Sequence, residues 1–120
     1  MSYVLLYFYK IEPEKVERFF EIFKQTKEKY IEYGGEAEEV FKLEEPDKSY
    51  GLHTLDKELN LGTHEELWLG LVRFNSEEHA KEVMEKFDRD EKVNELYNEF
   101  ISSVTPLNKI TFGEFKKHSY

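Results

Sequence analysis

The sequence predicts an α+β domain in which a four-stranded antiparallel sheet carries helices on one face only. Three observations lead there. Two segments, Tyr3 to Tyr9 and Leu67 to Phe74, are apolar on both faces at once, whereas a strand with one wet face alternates. Apolar residues at helical spacing follow each of these segments. The resulting order is strand, helix, strand, a long connection, then strand, helices, strand. Two βαβ units of this kind form a plait with the first and third strands at its centre, and the doubly apolar segments are those two strands. The helices cover only one side of so small a sheet, so the other side is expected to meet a second copy of the chain.

The first strand is expected over about residues 2–10. Pro13 suits a first helical position, and the helix at about 13–33 carries Val16, Phe19, Phe20, Phe23, Tyr30 and Ile31 mostly on one face. Gly34-Gly35 ends it, because glycine readily takes the left-handed conformation that closes a helix. The second strand, about 36–44, has Ala37, Phe41 and Leu43 on one side, with Val40 on the other among Glu36, Glu38 and Lys42. This polarity suits a sheet edge. A connection from Glu45 to Glu66 holds Leu55, Leu59 and Leu61. At this length it is expected to act as a lid or to contain structure of its own. The third strand spans about 67–74, and Ser76 followed by Glu77 and Glu78 forms a helix start. That helix carries Ala80, Val83, Met84 and Phe87, breaks near Asp88-Arg89-Asp90, and is followed by another with Val93, Leu96, Tyr97, Phe100 and Ile101. A loop over 102–108 leads to the last strand at about 109–117.

A chain of 120 residues is expected to form one domain, residues 1–120. Its net charge of −9 disfavours nucleic acid and anionic membranes as partners. No cysteine is present, which removes disulfides, thiolate nucleophiles and cysteine-based metal sites. Met1-Ser2 leads straight into the first apolar run without a basic start or a cleavage site. No apolar run reaches the roughly 18–20 residues of a membrane span. The expected location is cytoplasmic.

Several segments also carry a family resemblance. They are Tyr3-Val4, Tyr33-Gly34-Gly35, the stretch Leu69 to Glu78 and the tail Thr105 to Phe115. Through them the chain resembles the dimeric α+β barrel superfamily, and within it the uncharacterised YbaA-like proteins. It departs from that family at Leu107-Asn108 and in the long connection. The resemblance implies a ferredoxin-like fold and a homodimer built face to face. Other members of the superfamily include cofactor-free monooxygenases, haem degraders and lactone isomerases, with pockets between sheet and helices. Their catalytic residues differ, so none is carried over.

The candidate site follows from the aromatic supply, 16% of the chain. Tyr7, Tyr9, Trp68 and Phe112 could line a flat pocket in which a phenol meets a ligand carbonyl. Core or interface packing is the plainer reading of the same residues. Strand parity leaves open whether the odd or even residues of the first strand face the helices. Arg73 could hold a carboxylate, or pair with one of the many glutamates. His79 could act as acid or base beside Tyr7, or sit as an ordinary residue in a helical turn. His53 and His64 lie eleven residues apart in the long connection, without local metal-ligand spacing. His53 is retained as a ligand contact, and no metal or other cofactor is expected. The adjacent pairs Glu38-Glu39, Glu44-Glu45, Glu65-Glu66 and Glu77-Glu78 read as solvated surface. The expected function is binding of a small apolar or aromatic molecule between sheet and helices, with cofactor-free monooxygenation or isomerisation as the enzymatic class. The alternative is a structural or regulatory dimer without a pocket.

Overall fold

A computed structural model describes residues 2–120. Its strands are β1 (Tyr3–Ile11), β2 (Glu39–Lys42), β3 (Glu66–Phe74) and β4 (Ile110–Lys116), and its helices are α1 (Val16–Glu32), α2 (Leu55–Glu58), α3 (Glu77–Arg89) and α4 (Glu91–Ser103). The sheet runs β2-β3-β1-β4 with every neighbouring pair antiparallel. The doubly apolar strands are the central pair, and the architecture is the ferredoxin-like plait. No helix among the described residues is long and apolar enough to cross a membrane.

Local chemistry sets the boundaries. A 3-10 turn at Pro13–Lys15 precedes α1, and Gly34 closes that helix at φ 92°. Ser76 caps α3 by accepting a hydrogen bond from the His79 amide at 3.1 Å. The break between α3 and α4 falls at Asp90, whose Oδ1 accepts from the Val93 amide at 3.0 Å. Its Oδ2 takes the Tyr33 hydroxyl and the Lys29 ammonium, and these partners hold its carboxyl far below the usual range. One residue thus caps α4 and ties the α3–α4 corner to the end of α1.

The register settles the parity that the pattern left open. Tyr3, Leu5, Tyr7, Tyr9 and Ile11 of β1 face the helices, opposite Phe74, Val72, Gly70, Trp68 and Glu66 of β3. Beneath the helices the core forms two clusters. One gathers Leu5, Tyr30, Val72, Phe74 and Val83. The other gathers Tyr9, Ile11, Phe19, Ile22, Leu96 and Phe100. Tyr7 packs against both and marks the seam between them.

The opposite face presents Val4, Leu6 and Phe8 of β1, Leu69 and Leu71 of β3, Phe41 of β2 and Phe115 of β4. None of these is buried in the single chain, and Phe41 and Phe115 remain 47% and 55% exposed. One end of this face is covered. Leu67 points outward yet is buried, and its cross-strand partner Lys10 donates to the Leu59 carbonyl at 2.8 Å. The long connection, with α2 within it, therefore lies back over that end.

Strand β2 is shorter than expected and keeps the expected alternation. It pairs only over Glu39–Lys42, and its apolar residue Phe41 faces the open side. Val40 faces the helices, and Glu38, two residues earlier, points the same way. Glu38 is therefore not the solvated partner of Glu39 that the adjacent pair suggested.

Candidate functional site

A cavity of about 500 Å³ opens at the seam between the two core clusters, under α1, α3 and α4. Its floor is Tyr7 and Tyr9 of β1 with Ile110 and Phe112 of β4, and α1 contributes Ile22, Phe23 and Tyr30. The end of α3 supplies Phe87 and Asp88, and α4 supplies Leu96 and Phe100. At its rim Tyr97, Leu107 and Phe112 are each about half exposed. Tyr7 lies nearly parallel to Tyr9, with ring centroids 5.9 Å apart, and leans on Phe112 at 4.9 Å.

Two carboxyl groups lie in this wall, those of Asp88 and Glu38, and Glu38 is the one held by a phenol. Glu38 reaches in from the chain leading to β2, and its Oε2 accepts the Tyr9 hydroxyl at 2.9 Å. Gly70 makes the room: a Cβ at that position would collide with the Glu38 carboxylate and come within 2.9 Å of the Tyr9 ring. Removal from water pushes the Glu38 carboxyl up to about 8, and the hydrogen bond from Tyr9 offsets only part of that rise. Burial, and after it the charge on Glu38, raises the phenols of Tyr7, Tyr9 and Tyr30 above their ordinary range. Asp88 is also raised by burial. No lysine, arginine or histidine lines the cavity among the described residues. The arrangement can bind a flat apolar molecule and exchange a proton with it near neutral pH.

The residues singled out from sequence divide between this cavity and elsewhere. Tyr7, Tyr9 and Phe112 meet in it. Trp68 faces the same side of the sheet but packs edge-on against Phe19 and Phe20, beyond the cavity wall. Arg73 is exposed on the open face, where its Nε donates to Glu39 at 2.8 Å. His53 is exposed in the long connection, 3.3 Å from Glu58. The ring of His79 is occupied on both nitrogens: Nδ1 accepts from the Asn75 amide at 3.0 Å, so Nε2 carries the hydrogen and donates to the Gly34 carbonyl at 2.9 Å. It ties α3 to the turn after α1, away from the cavity. No group of three or more histidine or acidic side chains is gathered for a metal among the described residues. Sequence reasoning missed Glu38 as a site residue and read Tyr30 only as core. The available signal was parity, since Glu38 shares its side of β2 with Val40.

No family model matches the chain, so membership of the YbaA-like family is not shown. No curated protein matches it either. Among solved structures it is similar to a mutant form of SnoaB, a cofactor-independent oxygenase from Streptomyces nogalater. The TM-score is 0.55 at 10% identity, over 99% of this chain and 95% of that one. At that identity the likeness shows the fold.

Proposed function

We propose that the chain is a homodimeric α+β-barrel protein that binds a small, uncharged, mostly aromatic molecule in the cavity and moves a proton on it without a cofactor. The observation that carries this reading is Glu38, a carboxyl held near neutrality in an aromatic wall. Taking a proton from a carbon or hydroxyl acid leaves an electron-rich anion. Such an anion isomerises when reprotonated elsewhere, and it is also the species that gives electrons to dioxygen. Isomerisation and cofactor-free monooxygenation are therefore the two reaction classes, and the fold likeness to a cofactor-independent oxygenase agrees with the second. The cavity speaks against a purely structural dimer, which needs no such space.

Equilibrium titration of the purified protein with 2-methylnaphthalene and 1,4-naphthoquinone tests the reading. One molecule bound per chain is expected, with binding lost in Met84→Trp, which fills the cavity from α3. Failure of both probes to bind would refute it.

A further inference from the structure

Three tyrosine hydroxyls in the cavity have no partner among the described residues; that of Tyr97 belongs to a half-exposed side chain at the rim, and those of Tyr7 and Tyr30 lie deeper. Tyr30 is only 3% exposed, and neither its hydroxyl nor that of Tyr7 hydrogen-bonds to a described residue. No sealed side-chain oxygen or nitrogen lacks a partner among the described residues. The remaining surface of the Tyr30 hydroxyl therefore opens into the cavity that it lines. Both phenols lie within electrostatic reach of Glu38, whose charge contributes to the rise of each. Tyr9 occupies only one oxygen of that carboxyl, Oε2, and so holds the group by one side. The deep part of the site thus sets the Glu38 carboxyl beside two idle donors in an aromatic enclosure, with the carboxyl of Asp88 also on the wall.

We infer that the ligand is an uncharged aromatic ketone with an acidic C–H beside its carbonyl, the C–H facing Glu38 and the carbonyl oxygen received by the hydroxyls of Tyr7 and Tyr30. This rests on the cavity being the ligand site. A cationic ligand would suit the aromatic wall but would leave both hydroxyls without an acceptor, and a carboxylate or phosphate would meet no cation. In the step itself the ionised Glu38 takes the proton. The C–H electron pair becomes the new C=C bond, and the carbonyl π pair moves to oxygen, where the two phenols stabilise the charge. Glu38 then returns the proton to the same carbon or to a conjugated one. Nothing is oxidised or reduced, and the carboxylate is regenerated.

The probes are 2-tetralone, whose enol has the shape of a dihydronaphthol, and 2-naphthol, a stable analogue of that enol. The protein is expected to bind 2-naphthol more tightly than 2-methylnaphthalene. Tyr30→Phe and Tyr7→Phe are each expected to weaken naphthol about fivefold, the scale of one neutral hydrogen bond, and to affect methylnaphthalene less. Nuclear magnetic resonance in heavy water is expected to show accelerated exchange at C1 of 2-tetralone, abolished by Glu38→Gln and reduced about a hundredfold by Tyr30→Phe, the usual effect of deleting one oxyanion donor. Equal binding of naphthol and methylnaphthalene, or naphthol binding indifferent to both tyrosine variants, overturns the ketone assignment and leaves the cavity as a ligand site. Tighter binding of 2-naphthylmethylammonium than of naphthol overturns it in favour of a cation. If no probe binds at all, both readings fall.

Discussion

Glu38 is costly to bury and is retained under the helices, and that cost has a measurable sign. Its carboxyl titrates at about 8 in the folded chain, against an ordinary value of 4.5. Between those two values the folded protein holds a proton that the unfolded chain has released. Stability therefore falls as pH rises through that window and is level on either side of it. Asp88 and the cavity tyrosines face the same space and also titrate upward, so the contribution of Glu38 is isolated by difference. Glu38→Gln keeps the shape of the neutral acid. Its thermal midpoint, relative to the unsubstituted protein, is expected to increase between about pH 5 and about pH 9. A constant difference across that range would show that Glu38 titrates normally. This residue was hidden in the sequence for a physical reason. Two adjacent glutamates on a strand point to opposite faces, and nothing in their identity says which is wet. Arg73 and His79 were visible as candidates because their side chains are chemically conspicuous, yet both are engaged in local ties.

At the scale of elements, β3 and the approach to β2 fit each other through Gly70. Placing a methyl there presses on the Glu38 carboxylate and the Tyr9 ring. Gly70→Ala is expected to cost about 1–3 kcal/mol, as overpacking generally does. In a Glu38→Ala background part of that cost should disappear, with a coupling of at least about 0.5 kcal/mol between two touching positions. Denaturant unfolding of the four proteins measures it, and additive costs would mean that the two groups do not press on each other. The elements themselves were largely legible. Doubly apolar strands, Pro13, Gly34-Gly35 and Ser76 each carry their signal locally, and the ends of β1, α1 and β3 fall near where those residues put them. The shortness of β2 and the α2 turn inside the long connection were not legible. Their conformations depend on what the chain packs against, as the tie from Lys10 to Leu59 illustrates.

Taken whole, the chain is a slab of 42 × 40 × 20 Å, the thickness of one sheet and one layer of helices. Its uncovered side is a contiguous apolar field, the kind of surface that marks an interaction site. Leu71 stands near the middle of that field, beside Leu6 and away from the helix-side core. Leu71→Lys is accordingly expected to convert a dimer into the 14.5 kDa monomer, read by light scattering, while circular dichroism stays that of a folded chain. A 14.5 kDa mass for the unsubstituted protein at micromolar concentration would refute the dimer.

The chain holds a single tryptophan. Trp68 lies directly across the sheet from Tyr9, and its indole N–H donates to Glu66 at 3.1 Å. Tyr9 is at once its strand neighbour and, with Tyr7, Tyr30 and Tyr97, part of the cavity wall. In optical terms the wall is an array of donors placed around one acceptor just outside it. Excitation absorbed by those phenols has one indole to reach, and any near-ultraviolet chromophore lodged among them competes for the same energy. The molecule thereby carries an unlabelled reporter of its own occupancy.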